Sequence, residues 1–338
     1  QLVNDSYKCM IFNSTIINEA DDFIDGVHEG NFNDDDVAIV HFVQSTYRHV
    51  SNTIFDKFRK VEQVLLIDIS VLTISDQAFE SCDQLESIQL STNLLSKLPD
   101  SVLANCKKLQ TLTLSGNFIV SFNGKTFEGL ENLKTLQVDK NRLAEVKEND
   151  LKPLIGLENL FLGTNSISFI HENAFKSMSN LKVLELTKNY LTTFSPNLLV
   201  NKPDLTWLLV DENRLTSFNF TSLKQLTSLA YLIMRDNNLG SPPTDAFYGL
   251  KELKYIDLSY TNIKEIDKDA FKDNINLESI ELIGNAIVNF DESLFASTSR
   301  LKSLDLRNNF FDIIRVKHFE NLHDLEFLYL IDCSIKTI

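Results

Sequence analysis

Histidines, cysteines and clustered carboxylates are the side chains of this sequence that could carry catalysis or hold a metal. The six histidines stand at positions 28, 41, 49, 171, 318 and 323, and no serine or cysteine nucleophile recurs beside them. Residues 31–36 offer several oxygen ligands but lack the spacing and terminal glutamate of a calcium loop. No glycine-rich phosphate loop is present. We therefore expect no enzyme, no cofactor and no bound metal.

The elements that would position any such residue follow an internal repeat of 24 residues. Apolar residues occupy repeat positions 1, 4 and 6, and the alternation of 4 and 6 predicts a short strand with one buried face. The clear copies begin at Leu85, Leu109, Leu133, Leu157, Leu181, Leu205, Leu229, Leu253, Leu277, Leu301 and Leu325, and looser copies begin at Val37 and Val61. The register predicts about thirteen coils, the last one cut off at Ile338.

Repeat position 9 is asparagine in most coils. A buried amide there can satisfy backbone groups of its own coil and of the next one, so we interpret the column as structural. It comprises Asn93, Asn117, Asn141, Asn165, Asn189, Asn213, Asn237, Asn285 and Asn309. The exceptions are Ser45, Ile69, Thr261 and Cys333, and Ile69 should interrupt the ladder because it has no amide.

These columns are typical of the leucine-rich repeat family in its extracellular 24-residue form. The resemblance covers residues 37–338 and implies an α/β solenoid, or horseshoe, with a parallel sheet on the concave face and irregular or short helical segments on the convex side. Residues 1–36 are expected to form an N-terminal cap, whereas no C-terminal cap is expected because the chain stops inside a coil. We accordingly expect the natural chain to continue past Ile338.

The net charge is 32 − 47 = −15, and the acids are concentrated at the beginning of the chain. Residues 1–36 have nine acids and one base, which gives −8 and leaves −7 for the rest. An acidic surface repels phosphates, so a nucleic-acid partner is excluded. No apolar run is long enough to span a membrane, and any signal peptide is expected to be gone before Gln1.

Cys82 and Cys106 share repeat position 22 in successive coils, a position that is leucine in many others. Two buried thiols that act as small apolar residues are one interpretation. A disulfide is the other, because strands of adjacent coils lie about 5 Å apart. Cys9 and Cys333 stand at opposite ends and cannot pair with each other.

Positions 2, 3, 5, 7 and 8 should project from the concave sheet, and their character changes along the chain. Early coils have small polar residues there, whereas middle coils have aromatic and apolar ones beside charges. We predict a protein-binding patch from this composition, which is that of an interface centre. The patch comprises Phe161, Val183, Trp207, Leu209, Tyr231, Ile233, Arg235, Tyr255 and Asp257. Stacking among the aromatic rings without any partner is the alternative, and the first coils with the acidic cap are a rival site.

The stretch from Ile39 to Glu62 resembles the start of the repeat domain in secreted leucine-rich immune molecules of mosquitoes. The resemblance implies a secreted innate-immunity protein that binds protein partners, such as a thioester-containing complement-like protein or another leucine-rich repeat protein. The ectodomain of a Toll-like or cell-adhesion receptor is the alternative, and an enzyme inhibitor is a weaker third. Sequons at Asn4, Asn13 and Asn219 predict glycosylation away from the concave strands.

Overall fold

The computed structural model describes residues 2–3, 6–12, 14–16 and 33–337. The chain divides into two compact units, Gln1–Ser179 and Asn180–Ile338. Both are built from short parallel strands with few helices, which confirms the predicted solenoid. The division into a cap at 1–36 and a repeat region at 37–338 stays a prediction.

The first unit is a parallel sheet to which a short antiparallel strand is added at one edge. Its main sheet runs in the order β1-β2-β4-β7-β9-β10-β11-β13, and only β1 and β2 pair antiparallel. The smaller pairs are β3-β5, β6-β8 and β12-β14. The strands are β1 Leu2–Val3, β2 Ser6–Phe12, β3 Thr15–Ile16, β4 Val37–Val43, β5 Thr46–Tyr47, β6 His49–Val50, β7 Gln63–Leu65, β8 Thr73–Ile74, β9 Ser87–Gln89, β10 Thr111–Thr113, β11 Thr135–Gln137, β12 Glu145–Val146, β13 Asn159–Phe161 and β14 Phe169–Ile170. The helices among its described residues are α1 at Thr53–Lys57 and a 3-10 turn at Asp34–Asp36.

The second unit continues the same design with parallel strands only. Neighbouring strands pair in sequence order with residues 24 apart as partners, for example Tyr231 with Tyr255. The strands are β15 Val183–Glu185, β16 Trp207–Leu209, β17 Tyr231–Ile233, β18 Tyr255–Asp257, β19 Ser279–Glu281, β20 Ser303–Asp305 and β21 Phe327–Tyr329. Its 3-10 helices are Pro196–Leu199, Phe220–Gln225 and Val316–Phe319.

Each three-residue strand places its central residue on one face and its outer two on the opposite face, called here the open face. The central residue is buried in all of these strands except β21, where Leu328 is 37% exposed. Leu112 in β10 and Leu232 in β17 are fully buried, whereas their strand neighbours are partly exposed. The cause is the two-residue period of a strand, which sends successive side chains to opposite faces. The side chains on the open face therefore do not have to fit into the core, as the buried leucines do.

The asparagine column forms the predicted ladder of buried amides. The Nδ2 group of Asn117 donates to the Leu114 carbonyl in its own coil and the Leu90 carbonyl in the preceding one, both at 2.9 Å. Its Oδ1 atom accepts from the Leu95 backbone N–H at 3.0 Å. Each amide thus ties two coils together and leaves none of these backbone groups unpaired.

The ladder is interrupted at Ile69, as predicted, and the backbone compensates. The N–H of Tyr47, which an asparagine at position 69 would bind, donates instead to the Ile69 carbonyl at 2.8 Å. The same replacement occurs at Cys333, whose carbonyl accepts the Phe311 N–H at 2.9 Å. The coil geometry is therefore kept where the side chain cannot supply the bond.

Repeat position 8 adopts a left-handed backbone in both units, which the sequence pattern did not predict. Most residues there are not glycine, so residue type carries no signal. In most of the column the N–H of this residue donates to the next coil; that of Thr92, for example, donates to the Ser115 carbonyl at 2.8 Å. The positive-φ residues of this column are Gln44, Asp68, Thr92, Gly116, Lys140, Thr164, Lys188, Glu212, Asp236, Tyr260, Gly284, Asn308 and Asp332.

Cys82 and Cys106 form a disulfide, with their Cα atoms 4.9 Å apart. Of the two interpretations left open by the sequence, the structure thus favours the covalent link between successive coils. Cys333 is a buried free thiol and Cys9 a half-buried one.

Repeat position 19 is phenylalanine in eight coils, and this phenylalanine column stacks behind the sheet, with the rings of Phe247 and Phe271 5.6 Å apart. The column comprises Phe55, Phe79, Phe127, Phe175, Phe247, Phe271, Phe295 and Phe319. Phe319 differs from the rest of this column, because His318 takes the buried place and leaves Phe319 half-buried.

Candidate functional site on the open face

Three aromatic side chains lie side by side on the open face of the second unit, and we call them the aromatic ledge. They are Trp207, Tyr231 and Tyr255, which pair in register on β16, β17 and β18. The Trp207 and Tyr231 rings stack with centroids 3.6 Å apart and planes 8° apart. The Tyr231 and Tyr255 rings lie 6.4 Å apart. Trp207 is nevertheless 37% exposed, so stacking does not withdraw the ledge from solvent.

Apolar side chains extend the ledge along the same strands. Leu209 and Ile233 end β16 and β17 and are partner residues of the pairing, each half-buried. Val183 pairs with Trp207 on the other side. The structure thus brings these predicted patch residues together, whereas Phe161 belongs to the first unit, where it ends β13 half-buried.

Arg235 lies at the edge of the ledge among several carboxylates. Its guanidinium lies 3.3 Å from Glu212 and 3.8 to 3.9 Å from Asp236 and Asp211. Glu212 also pairs with Lys188 at 3.3 Å. The charged rim predicted around the aromatic residues is therefore present, but acids outnumber bases in it.

Asp257 differs from the expectation that it is an exposed rim residue, because its side chain is only 3% exposed. Its carboxylate accepts the Ser259 N–H at 2.9 Å, a bond that holds it against the sheet. Burial raises the pKa of Asp257, whereas the hydrogen bond and Arg235 act in the opposite direction. Asp211 is also buried, and burial likewise raises its pKa.

A row of carboxylates continues from Asp257 across β19 and β20, and we call it the carboxylate row. Asp257, Glu281 and Asp305 are partner residues in the strand register. Burial raises the pKa of Glu281 and its interaction with the Tyr255 hydroxyl opposes that rise, so the row begins at the end of the aromatic ledge. Glu281 and Asp305 were not predicted as site residues, although an acid at position 5 of three successive coils was a readable signal.

Among the described residues, those considered for catalysis are not brought together within either unit, and His28 lies outside the described residues. His41 lies half-buried in β4, and its Nδ1 atom has no hydrogen-bond partner among the described residues. Burial and then the charge of Lys8 lower its pKa. Within the described ranges, no group of three or more His, Cys, Asp or Glu side chains is placed to hold a metal ion. Asn33 and Asp36 instead hydrogen-bond to backbone N–H groups of their own turn.

The sequon at Asn219 lies on an exposed turn. Asn219 begins the 3-10 helix Phe220–Gln225, and its Oδ1 atom accepts from the Thr221 hydroxyl at 2.6 Å. Asn4 and Asn13 lie outside the described residues. The helices in the described part of the chain include none that could cross a membrane.

Solved structures of several repeat proteins resemble this fold. A leucine-rich repeat protein of Leptospira interrogans is 23% identical, with 89% of this chain and 74% of that one aligned at a TM-score of 0.81. A chain of the mosquito LRIM1/APL1C complex is 24% identical, with shares of 90% and 62% and a TM-score of 0.60. A chain of the Drosophila Toll–Spatzle complex is 18% identical, with shares of 88% and 48% and a TM-score of 0.69. The present chain therefore spans less than two thirds of each of the latter two.

A search of curated protein sequences gave no match. A family profile described as "Leucine rich repeat" matches residues 59–119, 83–143, 107–163, 155–215, 227–287 and 275–335, and no enzyme family is indicated. These segments cover well over half of the sequence, and their spacing agrees with the strand register seen in the structure. The chain therefore belongs to the leucine-rich repeat family.

Proposed function

We propose that the protein is a non-enzymatic recognition protein that binds a protein partner through the aromatic ledge and the apolar residues beside it. The observation that carries the proposal is the Trp207–Tyr231 stack, which remains exposed on an ordered strand surface. Interface centres are rich in tryptophan and tyrosine because such rings bury much area with little loss of conformational entropy. Proteins of similar fold bind protein or peptide ligands, which supports the proposal.

The setting that we propose is secreted innate immunity. Neighbours of the fold include the LRIM1/APL1C complex and the Toll–Spatzle complex, which are assemblies of a leucine-rich repeat protein with another protein. A thioester-containing complement-like protein or a second leucine-rich repeat protein is the proposed partner. Glycosylation at the exposed Asn219, and at Asn4 and Asn13, is part of the same proposal and is checked by a mass shift on deglycosylation.

A receptor ectodomain is the second candidate, and the likeness to the Toll chain favours it. The two candidates differ in the C-terminal region that each would have in its full-length protein. A coiled coil after the repeats would favour a secreted immune protein, whereas a membrane-spanning helix would favour a receptor. Sequencing of the full transcript distinguishes them.

The proposed function is tested by the double variant Trp207→Ala with Tyr231→Ala. We expect it to lose capture of the main partner from extracellular fluid while its circular dichroism and unfolding temperature stay close to those of the parent. Each truncation of a central aromatic side chain removes about 2 kcal/mol or more of binding free energy. Unchanged capture by the double variant would contradict the proposal.

The matched control is Thr111→Ala with Thr135→Ala, which changes the same repeat position in the first unit. It should bind like the parent. A glycan introduced at the ledge should block capture as well, because it occupies the surface without altering the buried leucines.

A further inference from the structure

The carboxylate row sets three like charges opposite one another on adjacent strands. Asp257, Glu281 and Asp305 are direct register partners, and strands lie about 5 Å apart. Like charges directly opposite in a sheet destabilise it. Asp257 and Asp305 are also buried, where repulsion is screened less than in water. A purely structural surface would not be expected to keep such a row.

Among the described residues, only one end of the row is neutralised by a cation dedicated to it. Arg307 donates to both carboxylate oxygens of Asp305, from Nε to Oδ1 at 3.0 Å and from Nη2 to Oδ2 at 2.6 Å. Arg235, the cation at the other end, is shared with Asp211, Glu212 and Asp236. Glu281 in the middle interacts with the Tyr255 hydroxyl, which is not a cation, and burial raises the pKa of Glu281. Within the described structure, the centre of the row therefore lacks a positive charge of its own.

Arg307 shows what a guanidinium does on this surface. While it binds Asp305, its Cζ atom lies 5.2 Å from the centroid of the Tyr329 ring. One planar cation thus satisfies a carboxylate and an aromatic ring at once, which arginine does better than lysine. Tyr255 and Glu281 place a second ring and carboxylate near each other on the preceding strands, β18 and β19.

We propose that the open face of the second unit binds a basic segment of its protein partner, with an arginine side chain seated between Tyr255 and Glu281 and an apolar side chain on the Trp207–Tyr231 stack. The charge complementarity of the carboxylate row selects the cation, and the aromatic ledge selects its apolar neighbour. This inference rests on the proposed function, because it uses the same surface.

Trp207 makes the inference directly measurable, since it is the only tryptophan of the chain. The probe is a short acetylated and amidated Gly/Ser peptide that contains one phenylalanine and two arginines. Its control has citrulline, which keeps the shape of arginine without the charge. We expect the arginine peptide to change Trp207 fluorescence saturably and the citrulline peptide to bind about tenfold more weakly, as for loss of a charge-assisted bond. Added salt should weaken the binding of the arginine peptide and leave the binding of the citrulline peptide unchanged.

The diagnostic variant is Glu281→Gln, which keeps the size and polarity of the side chain beside Tyr255 and removes its charge. It should weaken the binding of the arginine peptide about tenfold and leave the binding of the citrulline peptide unchanged. Its control is Glu252→Gln, which removes an exposed carboxylate outside the strands of the same unit. This variant should bind both peptides like the parent.

Three results would overturn the inference: equal binding of the two peptides, no fluorescence response to the arginine peptide, or equal weakening by Glu281→Gln and Glu252→Gln. The last result would mean that the peptide responds only to the net charge of −15. The proposed function would survive any of these results if Trp207→Ala with Tyr231→Ala still abolished partner capture. It would fail separately if capture persisted.

Discussion

The open faces of the two units differ in side chains although their strands are built alike. In the first unit β9, β10 and β11 present serine, threonine and glutamine, whereas in the second unit β16, β17 and β18 present the aromatic ledge. The central residue of every one of these strands is a fully buried leucine or isoleucine. The comparison teaches that the buried face fixes the fold and leaves the open face to vary.

The largest expected effect tests the shared half of this comparison. Leu112→Ala in the first unit and Leu232→Ala in the second should each lower the free energy of unfolding by about 3 kcal/mol, because each removes a fully buried side chain and leaves a cavity. Chemical denaturation checks this, with the outward-facing Thr113→Ala as the control, for which a change below about 0.5 kcal/mol is expected. If the two variants lowered the free energy of unfolding by markedly different amounts, the buried faces of the two units would not be equivalent.

A second prediction concerns repeat position 22, where the two units differ in a buried residue. The Cys82–Cys106 disulfide closes a sequence separation of 24 residues in the first unit. Loss of a cross-link over such a loop is expected to lower the free energy of unfolding by about 3 kcal/mol. Reduction by dithiothreitol under partially denaturing conditions should therefore lower the unfolding midpoint of the parent.

The matched control is Cys82→Leu with Cys106→Leu, which places the residue of other coils in both positions and should not respond to dithiothreitol. An equal response of parent and variant would show that the cross-link does not stabilise the chain.

Lys202 occupies the same repeat position in the second unit, and its side chain is only 1% exposed. Its Nζ atom donates to the Val200 carbonyl at 3.1 Å. Burial lowers its pKa from 10.5 to about 8. The charged form is thus penalised in the folded state fully below pH 8, and the penalty fades as pH rises from 8 to 10.5.

Lys202→Leu should accordingly raise the free energy of unfolding by about 2 kcal/mol at neutral pH, and the gain should shrink as pH approaches 10.5. Denaturation at pH 7 and at alkaline pH measures both parts. The exposed Lys272 provides a control through Lys272→Leu, which should show no such pH dependence. A gain that is constant with pH would refute the electrostatic explanation.

The sequence predicted the features that depend on residue type and spacing. It did not predict features that depend on how individual side chains pack. The leucine and asparagine columns predicted the strand register and the amide ladder, including its interruption at Ile69. The pattern placed Asp257 on an exposed rim, because a period cannot show that Ser259 holds its carboxylate against the sheet. Lys202 escaped notice since it occupies a column of apolar residues.

The smallest expected effect concerns repeat position 8, whose left-handed backbone is common to both units. Thr164 adopts φ +50° and Lys188 φ +56°. A β-branched residue is the more strained of the two in this region, whereas glycine adopts it freely. Thr164→Gly should therefore raise the free energy of unfolding by about 0.5 to 1 kcal/mol, and Lys188→Gly by less.

The opposite exchange sharpens the last prediction. Gly116 adopts φ +69°, and a Cβ atom there would meet Thr92 only at an ordinary 3.5 Å. Gly116→Thr should thus destabilise the first unit through backbone strain rather than a clash, by about 1 kcal/mol. Denaturation midpoints of the three variants measure this directly. If Thr164→Gly destabilised the protein instead, the greater chain entropy of glycine in the unfolded state would outweigh the relief of strain, which would contradict the prediction.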